Sequence, residues 1–175
     1  LPVFHALRER HPGAELAWAI QPEFAGLVRG LPGLARVIPF DRRGGLRAWI
    51  ELRRALREFD ADWAIDAQGN LKSAAVMLAS GAPRRTGYHR RDWRERPGAL
   101  VLSDRAPALP RPTHAVERSL HLARHATGVA ADWRPSDWLD LSHEECRAGE
   151  LRWRELVPSP RTGAVILQLA RPDDV

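Results

Sequence analysis

Hydrophobic and polar positions follow two spacings along this chain, one typical of helices and one typical of buried strands. The helical spacing is clearest over 46–59, where apolar side chains recur every three or four residues and Arg and Glu occupy the opposite face. The segment 15–20 (ELAWAI) shows the other pattern, a short apolar run bounded by polar residues and Pro. The chain therefore combines amphipathic helices with short buried strands.

These two patterns alternate from one end of the chain to the other. Helices are predicted over 1–10, 22–30, 46–59, 71–80, 114–127 and 142–156. Strands are predicted over 15–20, 34–40, 62–66, 85–88, 99–103 and 164–169. Such alternation is typical of βαβ units around a parallel sheet, whose crossovers are right-handed. The predicted fold class is therefore α/β, a Rossmann-like, doubly wound parallel sheet.

Composition narrows the class of protein and favours anionic partners. Apolar residues make up 44% of the 175 residues and charged residues 28%, which is typical of one folded globular domain and excludes a disordered chain. The net charge of +5 favours nucleic acid, anionic lipid headgroups or phosphorylated substrates without choosing among them. Of the 27 Lys and Arg residues only Lys72 is lysine, a bias that a GC-rich genome also produces.

Cysteine content and hydropathy bear on two further classes. Cys146 is the only cysteine, so an intrachain disulfide is impossible, and the spacing of the histidines offers no metal site. No apolar run approaches the ~20 residues that cross a bilayer. The chain opens at Leu1 inside an amphipathic pattern and closes at Val175 just after an apolar run, so we expect it to be a segment of a longer protein.

The segment 65–74 (IDAQGNLKSA) carries the strongest candidate site. Ligands of open α/β sheets bind at the carboxyl ends of the strands, and a predicted strand ends at Asp66. Gln68 and Gly69 form a polar turn before a helix that opens with Lys72, so free N–H groups and the helix dipole favour an anion or a hydroxyl-rich ligand. Alternatively, Asp66 caps the helix and Lys72 is a solvated surface residue. The spacing is that of neither a P-loop nor a dinucleotide fingerprint.

Two basic clusters are further candidate sites. The first spans 84–96, where Arg94 and several other Arg side chains are interleaved with Tyr88 and Trp93, whose rings could stack on sugars or bases. The second comprises Arg42, Arg43 and Arg47. Each cluster could bind phosphate or carboxylate groups, and the loop 84–96 could instead be a solvated part of an Arg-rich surface.

A fourth candidate lies at the start of the predicted helix 114–127. His114 and Arg118 are one turn apart and could bind an anion together. The alternative is an ordinary helix N-terminus, at which Glu117 interacts favourably with the dipole. No Ser-His-Asp, Cys-His or paired-carboxylate arrangement is indicated, so the chain alone shows no catalytic centre.

Several segments, in this order, resemble the heptosyltransferases of glycosyltransferase family 9, the ADP-heptose:lipopolysaccharide type, with heptosyltransferase I as the nearest kind. They are 1–8 (LPVFHALR), 37–39 (VIP), 65–74 (IDAQGNLKSA), 85–88 (RTGY), 94–97 (RERP) and 114–118 (HAVER). Two departures stand out: the loop 42–47 is shorter than in the first type, and Arg96-Pro97 replaces a Glu followed directly by Pro.

The resemblance implies the amino-terminal half of a two-domain GT-B enzyme. Residues 1–160 would form the acceptor-binding domain without its first strand, and 161–175 would begin the truncated nucleotide-sugar domain. The intact enzyme would transfer heptose from ADP-heptose to the lipopolysaccharide inner core with inversion, without a metal or another cofactor. The family's proposed base is an Asp that would lie upstream of Leu1, so this fragment alone is expected to be inactive.

The resemblance also implies roles, partners and a location. Asp66, Gln68, Gly69 and Lys72 would line the cleft that faces the second domain. The acceptor's phosphates and carboxylates would be met by Arg42, Arg43, Arg47 and Arg94, with His114 and Arg118 as further substrate-binding residues. The expected partner is an anionic lipid-linked saccharide and no nucleic acid. The enzyme is expected to be a monomer on the cytoplasmic face of the inner membrane.

Two alternatives remain open. A related GT-B glycosyltransferase could act on another surface glycan, such as O-antigen or capsule. A polyanion- or nucleic-acid-binding module would also account for the basic charge, and it predicts strongly salt-dependent, sequence-independent binding. No zinc-finger, helix-turn-helix or RNA-recognition signature supports that module.

Overall fold

The computed structural model describes residues 1–41, 43–110, 113–130, 143–144, 147–148 and 151–152. The chain divides into two compact units, Leu1–Asp140 and Leu141–Val175. In the second unit the described residues are helical. The rest of the predicted helix 142–156, the predicted strand 164–169 and the predicted boundary near residue 160 lie outside the described residues.

The described residues of the first unit form four α-helices and five strands. The helices are α1 (Pro2–Arg10), α2 (Gly45–Phe59), α3 (Leu71–Ser80) and α4 (Ala115–Thr127). The strands are β1 (Leu16–Ile20), β2 (Leu34–Pro39), β3 (Trp63–Asp66), β4 (Arg84–Gly87) and β5 (Asp104–Arg105). Three 3₁₀ segments span Pro22–Leu27, Arg90–Asp92 and Arg96–Val101. The helices and the first four strands thus agree closely with the predicted ones, apart from the segment 22–30.

All described strand pairs are parallel, which confirms the predicted α/β class. β1 pairs with β2, and β4 lies between β3 and β5, so the described strands form two hydrogen-bonded groups. Asp66 lies beside Gly87, and Gly87 lies beside Arg105. Because the strands are parallel, the carboxyl ends of β3, β4 and β5 meet at one edge of their group.

The predicted helix over 22–30 is wrong in its type. Pro22–Leu27 is a 3₁₀ segment in which only Ala25 is buried, while Phe24 and Leu27 stay exposed. A short segment that buries a single small side chain lacks the apolar stripe that stabilises an α-helix through packing.

The predicted strand over 99–103 is also wrong. A 3₁₀ segment occupies Arg96–Val101, and the strand follows it at Asp104–Arg105. Gly98 brings the backbone so close to Trp93 that an added Cβ would lie 2.5 Å from Cζ3 of that ring. The chain therefore turns beneath the indole before it pairs with β4, a tertiary contact that local spacing does not encode.

Among the described residues, the largest core cluster joins α3 and α4 to the segment 88–106, which follows β4. Tyr88 and Trp93 are 2% and 4% exposed there, and they pack with Met77, Leu102 and Leu122. Because α3 contacts both β3 and the segment Arg96–Val101, this core supports the turn between β3 and α3 from below.

Candidate functional site

The turn between β3 and α3 is organised by the buried carboxylate of Asp66. Its Oδ1 accepts hydrogen bonds from the backbone N–H groups of Gln68 (2.7 Å) and Gly69 (2.9 Å). Its Oδ2 accepts one from the hydroxyl of Ser73 (2.6 Å). Asp66 is 4% exposed, so both oxygens serve the turn. Asp66 therefore shapes the turn and does not cap α3, which corrects the alternative interpretation of this residue.

The N-terminus of α3 is capped by Asn70 and by a residue from a distant loop. Asn70 Oδ1 accepts from the Ser73 N–H (2.8 Å), and Ser73 Oγ accepts from the Asn70 N–H (3.1 Å), which completes a capping box. The Leu71 N–H donates to Glu95 Oε2 at 2.7 Å. The expectation of free N–H groups at this helix end is therefore wrong for Leu71 and Ser73.

Two of the predicted site residues project from this turn, and a third follows in the loop that packs on it. Gln68 and Lys72 are exposed, and the exposed residue Arg94 donates its backbone N–H to Gly69 O at 3.0 Å. Gly69 has φ +73, which glycine adopts without strain, and an added Cβ would lie 3.5 Å from Cγ of Trp93. The structure thus brings Gln68, Gly69, Lys72 and Arg94 together at the carboxyl edge of β3 and β4.

The two aromatic side chains of the loop 84–96 lie in the core. Tyr88 and Trp93 are almost fully buried, and Trp93 Nε1 donates to Tyr88 O at 3.1 Å. The prediction that their rings could stack on sugars or bases is therefore wrong. A local pattern of Arg and aromatic residues does not reveal this burial, because the packing depends on contacts with α3 and α4.

The cation Arg118 is held against the same core. Its Nη2 donates to Asp92 O (2.8 Å), and its guanidinium carbon lies 4.9 Å from the centre of the Tyr88 ring. Burial raises the pKa of Tyr88, while a hydrogen bond with Ser119 and the charge of Arg118 oppose the rise and the charge of Asp66 adds to it. Tyr88 thus lies within electrostatic reach of both the β3–α3 turn and Arg118.

His114 has a structural contact that accounts for its position. It is exposed and is the N-cap of α4, where its Nδ1 accepts from the Val116 N–H at 3.3 Å. Its predicted partner Arg118 is directed to the loop at Asp92 instead. The backbone N–H of Arg118 donates to His114 O at 3.0 Å, but the two side chains engage different groups.

The basic cluster after β2 is separate from this turn in its contacts. Arg42 lies outside the described residues. Arg43 is exposed and donates its backbone N–H to Asp41 Oδ1 (2.8 Å). Arg47 Nε pairs with Glu51 Oε1 (2.9 Å), with 90% of the Arg47 side chain exposed. In the part of the chain that the structure describes, no hydrogen bond or ion pair links Arg43 or Arg47 to the β3–α3 turn.

Sequence reasoning missed one residue of the site, Glu95. Glu95 lies within the segment 94–97, and its contact with Leu71 joins residues 24 positions apart. An acidic residue in an Arg-rich loop, 24 positions from the helix whose N-terminus it contacts, gives no local signal of that contact.

The described residues contain neither a cluster of metal ligands nor a helix able to span a membrane. Among them, no group of three or more His, Cys, Asp or Glu side chains is arranged to hold a metal ion. Within the same residues, no helix combines the length and the apolarity that spanning a membrane requires.

Comparison with known proteins gives consistent matches. Residues 49–167 match the family model described as glycosyltransferase family 9 (heptosyltransferase). Lipopolysaccharide heptosyltransferase 1 of Pseudomonas aeruginosa is 35% identical over 135 residues, which cover 72% of this chain and 38% of that protein. The protein of the same name from Escherichia coli K12 is 29% identical over 156 residues, covering 82% of this chain and 47% of that protein.

A solved structure matches as well. The E. coli heptosyltransferase WaaC with ADP-2-deoxy-2-fluoro heptose aligns at a TM-score of 0.66 and 25% identity, over 78% of this chain and 46% of that chain. The chain therefore spans less than half the length of each of these relatives.

Proposed function

Since this chain belongs to glycosyltransferase family 9, the heptosyltransferase family, we propose that it forms the acceptor-binding half of an enzyme that transfers heptose from ADP-heptose to the lipopolysaccharide inner core. The donor is supported by the relative solved with a fluorinated ADP-heptose. The proposed activity is that of a longer protein, because the chain spans less than half of its relatives. Residues 1–160 would be the acceptor-binding domain, and 161–175 would begin the domain that binds ADP-heptose.

The observation that carries the proposal is the cationic, polar turn at the carboxyl edge of β3 and β4. Lys72 supplies a compact charge and Arg94 a planar fork, and both suit phosphate and carboxylate groups of an acceptor. Gln68 is exposed on the same turn, where its amide suits sugar hydroxyls. The turn is held from below by Asp66, so these groups are presented on a fixed backbone.

The proposed reaction is an inverting displacement without a metal or another cofactor. An acceptor hydroxyl attacks the anomeric carbon of the heptose, the bond from that carbon to the ADP phosphate breaks, and ADP leaves with the electron pair. The hydroxyl proton passes to a base that would lie upstream of Leu1, so the 175-residue chain alone would be inactive. The part played by this chain is to bind and orient the acceptor.

The proposed partner is an anionic, lipid-linked saccharide at the cytoplasmic face of the inner membrane. The net charge of +5 supports attraction to such a surface, since basic groups near anionic lipid are favoured. Arg43 and Arg47 are exposed and are proposed to contribute to this attraction, together with Arg42. The enzyme is proposed to act as a monomer and to bind no nucleic acid.

Charge reversal in the full-length protein tests this function. Lys72→Glu and Arg94→Glu should each raise the acceptor KM roughly 10- to 100-fold, the cost of one lost charge-assisted contact. The KM for ADP-heptose should stay near the wild-type value. The assay follows labelled heptose from ADP-heptose into heptose-free lipopolysaccharide.

Arg10→Glu provides the matched control, because Arg10 is exposed at the end of α1 that leads into the opposite edge of the strands. Unchanged kinetics in both site variants would refute the roles of Lys72 and Arg94. No transfer by the wild-type protein would refute the function itself. Transfer to a different glycan in an acceptor screen would identify the related enzyme of another pathway.

A further inference from the structure

We infer that Glu95 is a positioning residue, which holds the loop that carries Arg94 against the β3–α3 turn and so fixes the spacing between Arg94 and Lys72. This inference rests on the proposed function, because the two cations are proposed to bind one anionic acceptor. Glu95 itself is assigned no contact with substrate.

Two hydrogen bonds of opposite direction join the loop to the turn. The Arg94 N–H donates to Gly69 O at 3.0 Å, and the Leu71 N–H donates to Glu95 Oε2 at 2.7 Å. The first bond runs from loop to turn and the second from turn to loop. A single such bond leaves rotation about itself, whereas two bonds from adjacent residues fix both the distance and the orientation of the loop.

The second bond lies immediately beside both cations. Its donor Leu71 precedes Lys72 in the chain, and its acceptor Glu95 follows Arg94. Any change in the separation of Leu71 and Glu95 therefore changes the separation of the two cationic residues. The bond is also favoured electrostatically, since a carboxylate meets the positive end of the ten-residue helix α3.

The core limits where the loop can move if this bond is lost. Trp93, next to Arg94, is 4% exposed and lies against Gly69. Glu95 and Arg94 are themselves exposed. Loss of the Glu95 bond removes one of the two bonds between loop and turn, so the loop beyond Trp93 is expected to loosen while Trp93 and the core stay in place.

A direct binding role for the Glu95 carboxylate is disfavoured by charge. The proposed acceptor is anionic, and a carboxylate next to Arg94 would repel it. The same carboxylate is already engaged by a backbone N–H. A positioning role explains why an acidic residue lies in a cationic site: Glu95 fixes the positions of the cations and does not contact the ligand.

The test is a double-mutant cycle in the full-length protein, with heptose-free lipopolysaccharide as acceptor. Glu95→Ala should raise the acceptor KM about tenfold, because small misplacement of a binding group is costly, and should leave kcat and the KM for ADP-heptose within about twofold. Glu95→Gln keeps an oxygen that accepts from Leu71, and should restore the acceptor KM to within about twofold of wild type. In an Arg94→Ala background, Glu95→Ala should change the KM less than about twofold.

A readout independent of catalysis is amide exchange at Leu71. Its N–H should exchange faster in Glu95→Ala than in wild type or Glu95→Gln, since its acceptor is lost. Glu58→Ala is the control. Glu58 is also an exposed acidic residue that accepts a hydrogen bond, but its donor is Nε of Arg54 and both residues lie on α2. That variant should match wild type in KM and in Leu71 exchange.

Each outcome has one meaning. An unchanged acceptor KM in Glu95→Ala, a Glu95→Gln variant as impaired as Glu95→Ala, or a full effect in the Arg94→Ala background would overturn the positioning role while leaving the proposed function standing. No transfer by the wild-type protein would overturn the proposed function and this inference with it.

Discussion

At the scale of single residues, the candidate site depends on one buried carboxylate. Asp66 accepts three hydrogen bonds from its own turn and from α3, and it is shielded from water at 4% exposure. Hydrogen bonds to a charged acceptor contribute more than neutral ones, and their donors lose their partner when the carboxylate is removed. Removal of the Asp66 carboxylate is therefore expected to disrupt the turn before it disrupts the core.

Replacing Asp66 should measurably destabilise the protein. Asp66→Ala leaves the N–H groups of Gln68 and Gly69 and the Ser73 hydroxyl without their acceptor, so the free energy of unfolding should fall by ~3 kcal/mol. Urea denaturation measures this change. Asp62→Ala, at an exposed carboxylate just before β3, should cost less than ~0.5 kcal/mol. Equal losses in the two variants would contradict the assigned role of Asp66.

The identity of the turn could be predicted from the sequence, but its internal bonding could not. A strand that ends in Asp66 and a helix that begins at Leu71 are both visible in local spacing, and both boundaries are confirmed. Which group caps α3 depends on Glu95, brought in from 24 residues away. The burial of Tyr88 likewise depends on α3 and α4, which lie outside the local sequence. The pattern of neighbouring residues therefore predicted an exposed ring.

At the scale of elements, a network of polar side chains away from the β3–α3 turn joins β3, β4, β5 and α4. Trp63 Nε1 donates to Thr86 Oγ1 (2.8 Å), and the Thr86 hydroxyl donates to Asp104 Oδ2 (2.9 Å). On its other oxygen, Asp104 pairs with His125 Nε2 at 2.9 Å. The guanidinium of Arg84 lies 3.9 Å from the centre of the Trp63 ring and also reaches Asp104. This network connects the end of α4 to three strands.

The same network makes the free energy of unfolding depend on pH. Burial raises the pKa of Asp104, but hydrogen bonds from His125 and Thr86, with the charge of His125, outweigh burial and hold the pKa below the usual 3.8. A carboxyl whose folded pKa is lowered stabilises the fold above its unfolded pKa. That contribution is lost as the pH falls through the folded pKa.

Asp104→Asn should therefore destabilise the protein in a pH-dependent manner. At about pH 6 the free energy of unfolding should fall by about 1–2 kcal/mol, since charge-assisted bonds become neutral ones. The difference from wild type should persist down to the usual carboxyl pKa of 3.8 and shrink below it. Urea denaturation across this range gives the curve, with Asp60→Asn at an exposed position as control. A difference that stays constant into acid would rule out the ionised Asp104 as its source.

At the scale of the whole molecule, the described strands form two separate groups, with β1 and β2 as the edges of one and β3 and β5 as the edges of the other. Within the described residues β1 pairs only with β2, and β3 pairs only with β4. A parallel strand between β1 and β3 would join the two groups into one doubly wound sheet. We propose that the longer protein supplies this strand, in keeping with a chain that spans less than half of its relatives.

The charge of the whole molecule leads to a test that separates the proposed enzyme from a general polyanion binder. Exposed cations interact with an anionic acceptor through solvent, where salt screens them over ~10 Å at 0.1 M. Raising NaCl from about 50 to about 500 mM should therefore raise the acceptor KM several-fold in the full-length protein. In the double variant Lys72→Gln, Arg94→Gln the same change should raise it less, since two of the contributing charges are gone.

The rise of the acceptor KM with NaCl has one slope in wild type and another in the double variant. Comparing these two slopes decides between the proposed enzyme and a general polyanion binder. If the cations of the β3–α3 turn bind the acceptor, their removal lowers the salt dependence far more than their share of the 27 basic residues, because other surface cations lie outside the site. Arg10→Gln, one charge removed at the opposite edge, should leave the slope at its wild-type value. A general polyanion binder predicts otherwise: each removed charge would lower the slope alike, and single-stranded DNA would compete with lipopolysaccharide at equal charge concentration. Equal slopes together with such competition would replace the acceptor site with a diffuse basic surface.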